Sequence, residues 1–125
     1  MPLTDFNDSY DTDGSGNIIT LNVTIGYAQI ASTGVFIDGN QVVTPAADPN
    51  GNYANSFSLE LDTNLNLEGK MLIISTAVTQ VQPTTAVSEQ IELVGGVAPK
   101  AFPLLNAVSP GLGAVTDFRG IITFN

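Results

Sequence analysis

Apolar and polar residues alternate with a period of two along most of this chain. In the stretch 18–27, Ile19, Leu21, Val23, Ile25 and Tyr27 fall on one side, and Thr20, Asn22, Thr24 and Gly26 on the other. This is the pattern of a strand with one dry face. Residues 34–43 read as a hairpin, two β-branched runs joined around Asp38-Gly39-Asn40, a composition that favours tight turns. Alternation returns at 56–62, where Phe57, Leu59 and Leu61 point inward and Ser58, Glu60 and Asp62 outward. Residues 71–81 are apolar on both faces at their start, as a central strand requires. In 87–93, Val87, Ile91 and Leu93 share a face, and in 117–124 Phe118, Ile122 and Phe124 do the same.

About seven strands result. Between them lie turn-forming clusters at 44–52, 63–69 and 82–85. No segment keeps a helical period; the nearest, 101–108, is interrupted by Pro103. Seven short strands without helices predict an all-β fold, a two-sheet antiparallel sandwich of immunoglobulin-like architecture, with a small barrel as the alternative. The expected core includes Leu21, Val23, Ile25, Phe57, Leu59, Ile74, Ile91 and Ile122. A chain of 125 residues fits one domain, 1–125, able to bury about two-thirds of its unfolded surface.

Composition then narrows the chemistry. Twelve acidic residues stand against Lys70, Lys100 and Arg119, a net charge of −9. Such a surface repels phosphate backbones and anionic membranes, which argues against nucleic acid as a partner. There is no cysteine and no histidine, which removes thiol nucleophiles, thiolate metal sites and the usual general base. No apolar run approaches the ~18 residues of a membrane span. Plentiful Thr, Asn and Ser with scarce Lys and Arg favour an extracellular or cell-surface setting, although residues 1–10 lack the features of a signal peptide.

The sharpest chemical motif is DTDGSGNIITLN at 11–22. It resembles the EF-hand calcium loop: Asp11, Asp13 and Ser15 take its first, third and fifth positions, Gly16 the sixth, and Asn17 offers a carbonyl at the seventh. The resemblance implies calcium as the one candidate cofactor, held by Asp11, Asp13, Ser15 and Asn17. It departs from the family at the twelfth position, where Asn22 replaces a bidentate Glu, and in having a strand where a helix should follow. The competing reading is a turn that leads into the strand at 18.

Other constellations carry less. Glu60 with Asp62 and Glu89 with Glu92 are the only pairs that could serve glycoside hydrolysis, and all four read as solvated surface acids. Tyr10 and Tyr53 could stack on a sugar, whereas Tyr27 continues a core face. An enzyme is not expected.

Residues 95–116 break the rhythm. This connection of 22 residues is apolar and carries three prolines and a single charge, Lys100. Loops of such length are uncommon in compact domains and are often functional. The final strand, 117–124, is apolar and uncapped by a charged tail, so it could serve as an edge for strand addition. The expectation is therefore a non-catalytic structural or interaction module that pairs with itself or with another protein. Its interface would include Phe102, Leu104, Leu105, Val108, Phe118, Ile122 and Phe124. A calcium-dependent binding module, for instance for carbohydrate, is the alternative.

Overall fold

The computed structural model describes residues 3–26, 29–42 and 56–125. Tyr27, Tyr53 and the cluster 44–52 lie outside them. Among the described residues ten strands form two sheets: β1 (Asp5–Tyr10), β2 (Ile18–Ile25), β3 (Ile30–Ile37), β4 (Asn40–Val42), β5 (Ser56–Thr63), β6 (Met71–Thr79), β7 (Ala86–Val94), β8 (Lys100–Ala101), β9 (Leu105–Val108) and β10 (Val115–Phe124). One sheet runs β1-β10-β6-β3-β4 and the other β5-β2-β7-β8, with β9 also paired to β7. The fold is a two-sheet β-sandwich and not a closed barrel, because each sheet ends in its own edge strands.

The period-two pattern accounts for the seven strands it predicts. Strand β2 buries Ile19, Leu21, Val23 and Ile25, and β6 buries Leu72, Ile74, Thr76 and Val78. Between β3 and β4, Ile37 opposes Asn40 across the two-residue turn Asp38-Gly39. Both turn residues have positive φ, 48° and 81°, the geometry that matches the twist of a tight hairpin and that Asp and Gly tolerate best. One hydrophobic cluster joins the sheets, with Phe118, Ile122 and Phe124 of β10 facing Leu21, Ile91 and Leu93. Each fully buried aliphatic side chain contributes roughly 1.5–3 kcal/mol. Phe57 and Leu59 are only half-buried, because β5 lies at the end of its sheet.

Three strands escape the alternation. Strand β1 lies in the polar stretch before the calcium-like motif and pairs in parallel with β10, Phe6 opposite Gly120. The ring of Phe6 crosses Gly120 so closely that a Cβ there would lie 2.7 Å from its Cζ, and it stacks on Phe102 at 5.3 Å. Glycine is what lets this aromatic pair close over the sheet. Strands β8 and β9 divide the long connection and pair Leu93 with Lys100 and Glu89 with Leu105. The cluster 63–69 contains one helical turn, α1 (Asn64–Leu67), capped by the Thr63 hydroxyl, which accepts from the Asn66 N–H at 3.1 Å.

These pairings correct the expected edge. Strand β10 is flanked by β6 over 115–123 and by β1 over 119–124, so most of the expected edge is already held in ladders on both sides and is closed to strand addition.

Candidate interaction surface

The strand directions gather the loops at two ends. Loops 11–17, 38–39, 64–70 and 95–99 lie at one end, and 80–85 and 109–114 at the other. The first end holds the calcium-like motif. There Asp13 Oδ1 accepts from the Ser15 N–H at 2.9 Å and Ser15 Oγ from the Asn17 N–H at 3.1 Å, two successive side-chain turns. Hydrogen bonding from the side chain and then the backbone N–H of Ser15 holds the Asp13 carboxyl below its usual range.

The Asn17 carbonyl, which a calcium loop would aim at the ion, accepts instead from the backbone N–H and the side-chain amide of Asn64, each at 2.9 Å. The Ser15 carbonyl accepts from the Leu65 N–H at 3.0 Å. Asp11 Oδ1 accepts from Asn125 at 3.1 Å. Asn22 stands in mid-strand, where it accepts from the Ser58 hydroxyl at 2.6 Å and donates to Glu92 at 3.2 Å. Among the described residues no three acidic side chains cluster as metal ligands. The stretch is held by turn hydrogen bonds, with the Ser15 and Asn17 carbonyls bonded to α1.

Asn64 organises this end and sequence reading missed it. Fully buried, it donates to the carbonyls of Asn17 and Gly95 at 2.9 Å each and accepts from the Asp13 N–H at 3.0 Å. Tyr10 is likewise no stacking platform. It is buried, its hydroxyl donates to Ala98 O at 2.7 Å and accepts from the Gly96 N–H at 2.9 Å.

The expected interface divides. Phe102, Leu105, Phe118, Ile122 and Phe124 are all buried within the sandwich's own core. The connection 95–116 is not a free apolar loop, since β8 and β9 fold it onto β7, and Lys100 lies over Phe102 while pairing with Asp8 at 3.0 Å. Leu104 and Val108 remain exposed, Val108 by 73%.

Val108 belongs to a group at the second end. Val81, Leu112 and Val115 are also exposed at this end, on or next to loops that are held rather than loose. Gln80, itself buried, accepts at Oε1 from the Ser109 hydroxyl and from the Gly111 N–H at 3.2 Å, and its backbone exchanges bonds with Gly113 and Ala114. Gln29, also buried, accepts at Oε1 from the N–H groups of Val81 at 2.6 Å and Gln82 at 3.0 Å. Segments 80–86 and 105–116 contain no ionisable residue; Asp117 is the first charge along β10. Aliphatic side chains are thus presented on a fixed and uncharged support.

One acid lies within the core. Glu89 is in phase with Val87, Ile91 and Leu93, so β7 carries it inward and it is not the surface acid expected. Its Oε2 accepts from the Thr76 hydroxyl of the opposite sheet at 2.5 Å, and Thr76 contacts Thr33 at 3.1 Å. Its Oε1 has no hydrogen-bond partner among the described residues. Burial pushes the carboxyl up to about 7, against the opposing pull of the Thr76 hydrogen bond. The signal was phase: position 89 has the parity of its buried neighbours. No family model, curated protein or solved structure matches this chain.

Proposed function

We propose that this protein is a non-catalytic interaction module that associates with a second copy of itself through the end formed by Val81, Val108, Leu112 and Val115. The observation that carries the reading is the combination at that end of exposed aliphatic side chains, loops tied down by Gln29 and Gln80, and no charge in 80–86 or 105–116. Exposed aliphatic side chains gathered at one end of a domain are the material of contact sites. A support already ordered by hydrogen bonds loses little entropy when it docks.

The distribution of charge permits a contact with a second copy in one arrangement. A net charge of −9 repels another copy approaching at random. Asp11, Asp13, Asp38, Asp62 and Glu68 are at or beside the far end. That end is separated by the length of β10, ten residues or about 30 Å. At physiological salt the screening length is about 8 Å. An end-to-end contact with two-fold symmetry therefore keeps the acidic ends on the outside and brings like apolar surfaces together. Light scattering over a concentration series should show dimers whose proportion rises with added salt. A monomer at high micromolar concentration in raised salt would overturn the reading.

A further inference from the structure

Glu89 is the only carboxylic acid among the described residues to sit wholly in the core. A buried polar oxygen without a partner is costly, and a buried charge far more so. This one stands at a mechanically informative place. On β7 it opposes Ile25 of β2 on one side and Leu105 of β9 on the other, and β9 runs directly on to Val108. Across the core it meets Thr76 of β6, backed by Thr33 of β3.

No described charge faces it. Strands β2, β3, β6 and β9 contain no ionisable residue. On β10, Asp117 and Arg119 are exposed on the outer side. Glu92 of β7 itself lies on the opposite face, where it accepts from Asn22. The carboxyl must therefore be kept neutral by its surroundings, or else be hydrated.

We propose that Glu89 is a proton-operated latch between the two sheets: protonated, it closes the core with Thr76, and ionised, it loosens β7 and β9 beneath the apolar end. With a proton, the carboxyl remains a neutral group that needs only modest hydrogen bonding. Without one, the carboxylate draws in water or forces the sheets apart at the point where β9 is anchored. A two-state change of this kind turns a local charge event into altered order at Val108. The consequence for association rests on the interaction reading above, whereas the latch itself does not.

The test compares the wild type with Glu89→Gln and Thr76→Val by thermal unfolding from pH 4.5 to 8.5, at concentrations where the protein is monomeric. Folding should favour the protonated side chain, so the unfolding constant of the wild type should rise relative to Glu89→Gln as pH rises, by up to about 300-fold for a carboxyl moved from 4.5 to about 7. Thr76→Val removes a donor that favours the ionised form and should move the wild-type transition to still higher pH. Amide exchange, corrected for intrinsic rate, should quicken at 86–89 and 105–108 over the same range in the wild type alone. A gap between wild type and Glu89→Gln that is constant with pH would overturn the latch. If Glu89→Gln does not fold, the carboxyl carbon resonance of Glu89 in the wild type decides. A midpoint above 6 supports the latch, and one in the ordinary glutamate range refutes it. Loss of association with an intact pH gap would count against the interaction reading alone.

Discussion

The two ends of this sandwich both expose aliphatic side chains, but they are finished with different chemistry. At the α1 end, Ile18, Leu65 and Val97 stand among Asp11, Asp13, Asp62 and Glu68. The turns there are built from short side chains that bond to backbone one or two residues away, as Asp13 and Ser15 do. At the other end, Val81, Val108, Leu112 and Val115 have no ionisable residue within their loops, and two long buried amides, Gln29 and Gln80, reach across to hold them. Exposure of apolar atoms alone therefore does not distinguish a contact surface. The absence of charge, and an order supplied from beneath, do.

The largest effect should come from breaking the polar end at its centre. Asn64→Ala leaves the Asp13 N–H and the Gly95 carbonyl without their partners beside a closed core. Such losses cost about 1–3 kcal/mol per group, so urea denaturation should show a destabilisation of about 2–6 kcal/mol. Gln80→Ala strikes the corresponding device at the apolar end. Its partners Ser109 and Gly111 are closer to water, which replaces part of what is lost, so about 1–2 kcal/mol is expected. Amide exchange should then quicken across 109–114 and leave 11–17 unchanged. Equal loosening of both ends would show that they are not independent.

The ends should also respond to pH in opposite senses. Glu89, in the half nearer the apolar end, has its folded pKa raised to about 7 from 4.5. Its stabilising contribution is present in full below the unfolded value and is lost as pH rises through about 7, about 3 kcal/mol in all. Asp13 has a lowered folded pKa, so its smaller contribution is present above the ordinary aspartate range and is lost as pH falls through the folded value. Backbone resonances of 13–17 should therefore shift at low pH, and those of 86–89 near neutrality. If both segments moved in the same pH range, the distinction would be lost.

How much of this could be read in the chain differs between the parts. Strand β2 is legible because its inward residues are all aliphatic and its outward ones mostly polar. Strand β1, Asp-Phe-Asn-Asp-Ser-Tyr, is mostly polar; it is a strand because β10 supplies its ladder and Phe102 a ring for Phe6, which are contacts remote in sequence. The apolar content of 95–116 is real, but Phe102 and Leu105 spend it on the domain's own core, while Val108 and Leu112 face solvent. Hydropathy cannot separate these, because burial there depends on which residues pair with β7. Asn64 was hidden for a related reason, whereas Glu89 was legible from its parity with Val87, Ile91 and Leu93. A buried polar residue has the composition of a turn or surface until its partners are known.

The central claim is that the end carrying Val81, Val108, Leu112 and Val115, and not the one around α1, mediates association. Sedimentation velocity on three proteins tests it directly: the wild type, Val108→Asp with Leu112→Asp, and Leu65→Asp with Val97→Asp. Each double variant adds two charges to exposed aliphatic positions, so net charge and loss of apolar surface are matched. At raised salt the wild type and the Leu65/Val97 variant should form dimers, while the Val108/Leu112 variant stays monomeric with its β-sheet spectrum intact. Dimers that survive in the Val108/Leu112 variant, or that vanish in the Leu65/Val97 variant, would contradict the account.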